Sequence, residues 1–329
     1  MKNSKLRCAG VLVALSATVL SGCGLKPSSP EPPEANPGTI QPLEGAKDQT
    51  ITMGAKNYTE QLILGKMGVL VAKAAGFDVI DMTNIPGSQP ARRAIKDGDV
   101  DIEWDYTGVA WMNYMGHEEG ISDQDEMWQA VYDADQENGL TWGKPSPMNN
   151  TYAFGVRKDY AEKYNLTKFS DMKKVPSEER SLCVESEFNS RTDGLNGMLK
   201  SYGMKRDSAE GIPEGKIYIM DTGTIYTGVA ESACNFGEIT TTDGRVKSLD
   251  LAVLDDDHQF FPAYNVAPVF KTETLEKYPE LAERFDQVAQ RLDNETMMSL
   301  NYKVDVDGEE PAKVAYDWMV QEGFITEAR

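Results

Sequence analysis

The sequence predicts an α/β protein of two lobes. Three observations predict it. Between residues 50 and 106, strand-like runs alternate with amphipathic helical runs, the order that gives a parallel sheet with right-handed crossovers. The alternation returns between residues 151 and 254. From residue 272 the chain reads as mainly helical, which suits a tail that packs back on the first lobe.

The N terminus is read apart from the fold. Lys2, Lys5 and Arg7 precede an apolar run from Cys8 to Leu20, the length of a signal-peptide core and too short to span a bilayer. The run ends in Leu20-Ser21-Gly22-Cys23, which resembles a bacterial lipobox. The expectation is a signal peptide over 1–22, cleavage before Cys23, and an acyl lipid such as palmitate on that cysteine. The mature protein would then sit on the extracytoplasmic face of the cell membrane. The stretch after Cys23 is rich in Pro, Ser, Gly and Glu and poor in large apolar side chains. Such a segment cannot bury enough surface to fold, and it predicts a flexible tether over 23–47.

The first α/β section starts with "TITMGAK" (50–56) as a strand. "NYTEQLILGKMGVLVAKAAG" follows as a helix, with Asn57 as its cap and Glu60 three residues on, as in a capping box. Ile63, Met67, Leu70, Val71 and Ala74 make one apolar stripe, and Gly76 stops the helix. "FDVIDMTNI" is a second strand, "PARRAIKDG" a short helix with Pro90 in its first turn and Gly98 past its end, and "DVDIEWDY" a third strand. Alternation on that last strand puts Ile102, Trp104 and Tyr106 on one face and Asp101, Glu103 and Asp105 on another, which reads as polar. Tyr106 stands at the strand's carboxyl end, where ligands of open α/β sheets bind.

In the second section "TYAFGVR", "RSLCVESEF", "GKIYIMD" and "SLDLAVL" read as strands, with "DGLNGMLKSYG" and "TIYTGVAESA" as helices between them. The tail reads as three helices, "TETLEKYPELAERFDQVAQRL", "DNETMMSLNYKV" and "PAKVAYDWMVQEGF". Past Cys23 only Cys183 and Cys234 remain. In an exported protein an even pair suggests a disulfide, with two free buried thiols as the alternative.

Composition and motifs narrow the function. A formal charge of −20 argues against nucleic acid as a partner, because phosphate backbones need a basic surface. The two histidines, His117 and His258, lie in no metal-ligand spacing. No nucleophile elbow, P-loop or dinucleotide fingerprint occurs. "DDDHQ" (255–259) reads as a solvated turn rather than a metal site. The expectation is a binding protein, not an enzyme, with no metal and no cofactor.

Six strings carry a resemblance: "GAKNYTEQLILGKM", "AIKDGDVDIEWDYTG", "NNTYAFGVRKDYAEKYNL", "FNSRTDGLNGMLKSYG", "TTDGRVKSLDLAVLDDDHQFFPAYNVAPV" and "LNYKVDVDGEEPAKVAYDWM". With them the chain resembles the substrate-binding proteins of osmoprotectant-type ABC transporters, which bind glycine betaine, choline, carnitine and related quaternary amines. The resemblance implies a type II periplasmic-binding-protein fold with a ligand cleft and two hinge crossings. Lobe one would comprise 48–149 plus 259–329, and lobe two 150–258. The partners it implies are a small quaternary amine and the permease and ATPase subunits of an importer.

In that family four positions often build an aromatic cage around the cationic head. They fall on Tyr106, Tyr152, Tyr264 and Thr240, the last not aromatic here. The family's carboxylate-binding cations fall on Lys56 and Arg191. Asn150 stands where an aspartate is common, and Val109 where a threonine is. The chemistry is consistent: a quaternary ammonium donates no N–H bond, whereas each ring face contributes roughly 0.5–2 kcal/mol of cation–π attraction. The short Thr240 opens an alternative, a bulkier betaine such as ergothioneine, unless Trp111 or Tyr226 fills the gap. A further alternative is a ligand-sensing receptor module of the same fold.

Overall fold

In the computed structural model, which describes residues 30–191 and 193–328, twelve strands run in chain order. They are β1 (Ala35–Pro37), β2 (Thr50–Lys56), β3 (Asp78–Ile85), β4 (Ile102–Tyr106), β5 (Leu140–Trp142), β6 (Tyr152–Arg157), β7 (Leu182–Val184), β8 (Ile217–Ile219), β9 (Phe236–Thr240), β10 (Leu251–Leu254), β11 (Val266–Lys271) and β12 (Ile325–Glu327). One five-stranded sheet has the order β3-β2-β4-β11-β5 and another β10-β6-β9-β7-β8. Both are flanked by helices, so the fold is α/β with two lobes. The expected signal peptide over 1–22 and Cys23 lie outside the described residues. No described helix is long and apolar enough to cross a membrane.

The sheets are mixed, not parallel as the alternation predicts. β2 runs parallel to β3 and β4, but β11 is antiparallel to both β4 and β5. In the other sheet β7 is parallel to β8 and β9, while β6 is antiparallel to β9 and β10. The reason is topological. β6 and β11 each enter from the opposite lobe without a crossover helix, so neither is bound to the direction that a βαβ unit imposes.

Part of the stretch read as a tether, residues 35–46, packs on the fold. β1 pairs with β12, the Gly38 N–H donates to Phe324 O at 3.0 Å, and Leu43 N–H donates to Ala75 O at 2.8 Å. Ile40 and Ala46 are fully buried and Leu43 nearly so. The few apolar residues of this stretch suffice because they dock on surfaces already formed by the first helix and the C-terminal strand.

The first helix spans Thr59–Ala74, and its capping residue is Tyr58 with no side-chain cap bond. The capping box on Asn57 and Glu60 therefore does not form, and Glu60 turns elsewhere. The helix Ser88–Asp97 ends as expected on Gly98, whose φ of 84° is left-handed. The strand read over 180–188 stops at Val184, and Ser186–Ser190 is helical, capped by the Glu185 side chain. The long helix read from 272 is two, Thr272–Lys277 and Leu281–Ala289, because Pro279 drives Tyr278 out of the helical region.

β4 lies between β2 and β11, and every one of its residues is buried. Its acidic face is not solvated. Glu103 and Asp105 are each 1% exposed, and Asp105 accepts from Lys56 Nζ at 2.6 Å and from the Tyr114 hydroxyl at 2.8 Å. On the other face, Trp104 packs against Phe285 at 5.8 Å. A disulfide joins Cys183 of β7 to Cys234, 51 residues apart. Closing a loop of that size is worth roughly 3–4 kcal/mol in the chain-entropy model.

The chain passes between the sheets twice, before β6 and before β11. The two crossings are tied side by side. Asn149 and Asn265 form an antiparallel bridge. Tyr264 N–H donates to Asn149 Oδ1 at 2.8 Å, and Asn265 Nδ2 donates to Ser146 O and Met148 O at 3.0 Å.

Candidate binding cleft

A cavity of about 610 Å³ opens between the sheets at this crossing. Lys56, Tyr106, Asn150, Tyr152, Arg191, Thr240 and Tyr264 all line it, as does Val109. Lys56 ends β2, Tyr106 ends β4 and Thr240 ends β9, so three strand termini converge. Tyr152 begins β6, while Asn150 and Tyr264 sit on the two crossings. Gly108 makes the room for Tyr264: a Cβ there would fall 2.6 Å from Tyr264 Cδ1.

The hydroxyls of the three tyrosines are all engaged. Tyr106 donates to Glu60 Oε1 at 2.6 Å. Tyr152 accepts from Arg191 Nη1 at 3.1 Å. Tyr264 donates to Asp193 Oδ2. The Tyr152 and Tyr264 rings stand edge-on, 5.7 Å apart at 84°. Burial, first of all, holds all three hydroxyls above their ordinary range, so the rings stay uncharged phenols.

Both cations that the resemblance assigns to a ligand carboxylate are already paired within the protein. Lys56 Nζ lies 2.6 Å from Asp105 Oδ1 and 5.4 Å from the Tyr106 ring centre. Arg191 donates through Nε to Asp193 Oδ1 at 2.8 Å and through Nη2 to Oδ2 at 2.5 Å. Burial works against charge on Asp193, yet Arg191 and the Tyr264 hydroxyl hold its carboxyl below the usual range. Asp193 also accepts from Asn113 Nδ2 at 3.1 Å. It therefore links Arg191 to two side chains that precede β6 or follow β10 in the chain.

Several lining residues escape sequence reasoning. Glu60 is the hub of the first wall. Its Oε1 accepts from Tyr106 and from Asn150 Nδ2 at 2.7 Å, and its Oε2 from Thr242 Oγ1 at 2.6 Å and Asn301 Nδ2 at 3.0 Å. Burial raises its pKa, and these four bonds oppose the rise. The position reads as a helix cap from sequence, which hides it. Tyr58 also lines the cavity beside Tyr106. Asp193 carries a signal, since it follows Arg191 by two residues in "SRTDG".

The alternative rings stand elsewhere. Trp111 is stacked on His117 at 3.5 Å and donates from Nε1 to Glu119 O at 3.0 Å. Tyr226 is fully buried, lies under Arg245 at 4.5 Å, and accepts the Thr240 N–H at 3.1 Å. Neither lines the cavity, so the wall at Thr240 stays short. In "DDDHQ", Asp257 accepts from Ser170 Oγ at 2.7 Å and Tyr202 donates to Asp256, which fixes the segment as a turn.

The cavity as a whole favours positive charge. Glu60, Glu185, Glu187, Asp221, Asp243 and Asp305 line it against Lys56, Arg191 and Arg245. Uncharged aromatic faces inside a carboxylate-rich cleft suit a cation that has no hydrogen to donate.

Comparison with known proteins agrees with this geometry. A family model described as the substrate binding domain of ABC-type glycine betaine transport system matches residues 49–321. The chain is 35% identical over 292 residues to a glycine-betaine-binding protein of Pseudomonas aeruginosa, covering 86% of this chain and 91% of that protein. It is 31% identical over 328 residues to the carnitine transport binding protein OpuCC of Listeria monocytogenes, covering 99% of each. A solved structure of a glycine betaine/carnitine/choline ABC transporter protein superposes with a TM-score of 0.69 at 28% identity, over 83% of this chain and 99% of that one. The chain belongs to the family of substrate-binding domains of ABC-type glycine betaine transport systems.

Proposed function

We propose that the cleft captures a quaternary ammonium compound of the betaine or choline type and that the protein hands it to the permease of an ABC importer driven by its ATPase. One observation carries the reading: the uncharged rings of Tyr106, Tyr152 and Tyr264 meet in a single carboxylate-rich cavity. In this reading the three rings hold the cationic head. Arg191 and Lys56 orient an anionic or polar end, each through the hydrogens that Asp193 and Asp105 leave free.

Calorimetry of purified residues 24–329 against glycine betaine, choline and carnitine tests it. Replacing one cage tyrosine by Ala is expected to weaken binding about tenfold, since one lost contact is worth ~1–2 kcal/mol. Unchanged affinity in all three Ala variants would rule out this pocket. The short wall at Thr240, with Trp111 and Tyr226 held away from it, supports a second reading in which the ligand is bulkier than glycine betaine. Leu20-Ser21-Gly22-Cys23 supports lipidation of Cys23 and anchorage to the outer face of the cell membrane. Cys23→Ala is expected to leave the membrane fraction, and a variant that stays there refutes the anchor.

A further inference from the structure

β9 carries Phe236, Glu238 and Thr240 on one face, because alternate residues of a strand share a face. Gly237 lies on the other, where a Cβ would meet Val229 and Ile225 of the helix Thr222–Ala230. Thr240 ends the strand at the cleft, and Glu238 stands one step below it. Both line the cavity. β6 pairs Tyr152 with Thr240 and Phe154 with Glu238, so the cage ring Tyr152 adjoins the same corner.

Glu238 is 6% exposed. Its Oε2 accepts the backbone N–H of Glu185 at 2.7 Å. Among the described residues no donor meets Oε1. The titratable groups that face it are Glu185, Glu187, Arg191 and Tyr152. Arg191 is committed to Asp193, and two of the others are acids. Because Glu238 lines the cavity, that oxygen is left for solvent or a bound ligand to donate to. Glu60, in the same cleft, shows the contrast, with four donors of its own.

We propose that Glu238 is a specificity-determining residue that accepts a hydrogen bond from an O–H or N–H group carried by the bound quaternary amine, reached through the gap left by the short Thr240 side chain. The inference rests on the quaternary-amine reading of the cleft and adds a preference within that class for ligands bearing a donor.

A proton balance follows. Burial, opposed by the Glu185 N–H bond and reinforced by the Glu185 charge, pushes the Glu238 carboxyl up to about 8. At pH 7 the empty cleft therefore holds it mostly protonated. A ligand that donates to it and brings a fixed positive charge favours the carboxylate. The carboxyl O–H then breaks and its proton passes to solvent. The ligand's own O–H or N–H stays intact, and its ammonium charge balances the new anion.

The test compares choline with its O-methyl ether, which keeps the trimethylammonium head and loses the donor, and with glycine betaine, which has none. Calorimetry of residues 24–329 at pH 7 in buffers of different ionisation enthalpy counts the protons. Choline is expected to release close to one proton per molecule bound and to bind about tenfold more tightly than the ether. The ether, which keeps the charge but not the donor, is expected to release fewer protons than choline, and glycine betaine, whose own carboxylate offsets its charge, few or none. In Glu238→Gln, choline is expected to bind without proton release and the choline-to-ether ratio to fall toward one. Thr240→Tyr leaves Glu238 in place but covers it, and is expected to lower the same ratio. Equal affinity for choline and the ether in the unaltered protein, choline binding without proton release, or a Glu238→Gln variant that keeps both properties would overturn the proposal. If none of the amines binds, the quaternary-amine reading fails and this inference with it. Binding of all of them without discrimination overturns only the role of Glu238.

Discussion

The two walls of the cleft are built on different principles. On the wall that ends β2 and β4, the acids nearest the cavity are heavily bonded: Glu60 serves four donors, and Asp105 serves Lys56 and Tyr114. On the wall that ends β9, Thr240 is short and Glu238 has one bond. Saturated groups cannot reorganise cheaply, because each lost partner leaves a buried polar atom bare. Unsaturated groups in a cavity can still accept something from outside. The first wall therefore holds its side chains in fixed positions, while Glu238 keeps an oxygen able to accept from a ligand.

Removing Glu60 is expected to do the most damage. Glu60→Leu strands the Tyr106 hydroxyl, Asn150, Thr242 and Asn301, which come from both sides of the crossing. The expected loss of stability in urea unfolding is about 3–5 kcal/mol, given that an orphaned buried donor costs ~1–3 kcal/mol and the effects overlap. Glu238→Gln keeps an oxygen for the Glu185 N–H and is expected to cost under ~1 kcal/mol at pH 7. Equal losses at the two sites would erase the distinction between the walls.

A second comparison sets two buried acids side by side. Burial first, then the charge of Asp105, pushes Glu103 up to about 8; Glu238 reaches about the same value. Glu103 lies behind the first wall and does not line the cavity. Its Oε1 is buried without a partner. Between its ordinary 4.5 and about 8, the unfolded chain has released the proton and the folded protein still holds it. Folding then takes up a proton, so stability falls as pH rises through that window. Glu103→Gln removes the fall. Variant and parent are expected to match near pH 4.5 and to diverge in the variant's favour by up to ~1.4 kcal/mol per pH unit toward 8. Thermal melts across pH measure it, and a constant offset at all pH would show that Glu103 titrates normally. Ligand-linked proton release should be untouched, which separates this acid from Glu238.

Much of the cleft was legible because its residues carry their own signals. Tyr106 follows a strand of alternating character and Tyr152 opens another, so strand ends could be placed from local pattern. The resemblance supplied the rest of the seven lining positions. What failed was non-local. Glu60 looks like a capping residue because three-residue spacing is all that a capping box requires, and only the fold brings Asn301 and Thr242 to it. The acidic face of β4 read only as polar, because alternation within a strand does not reveal that Lys56, Arg92 and Tyr114 come to lie against Asp105 and Glu103. β11 itself contains Pro268, a residue that argues against a central strand. β5, with three residues, is too short to show a period.

A more modest effect is expected at Thr240, on the open wall itself. Thr240 N–H is already fixed to the Tyr226 hydroxyl, so the backbone at this position is set and a larger side chain has one way to go, along the face shared with Glu238. Thr240→Tyr would therefore put a ring opposite Tyr152, its strand partner. For a ligand without a donor, such as glycine betaine, the added cation–π contact is expected to tighten binding by ~0.5–2 kcal/mol. For a bulkier amine the same ring overlaps the space it needs, and affinity should fall. Calorimetry with a small and a bulky betaine on both proteins reads the two effects in opposite directions. A parent protein that already binds glycine betaine tightly and gains nothing from the ring would mean that Tyr58, which lines the cavity beside Tyr106, supplies the fourth wall from the other lobe.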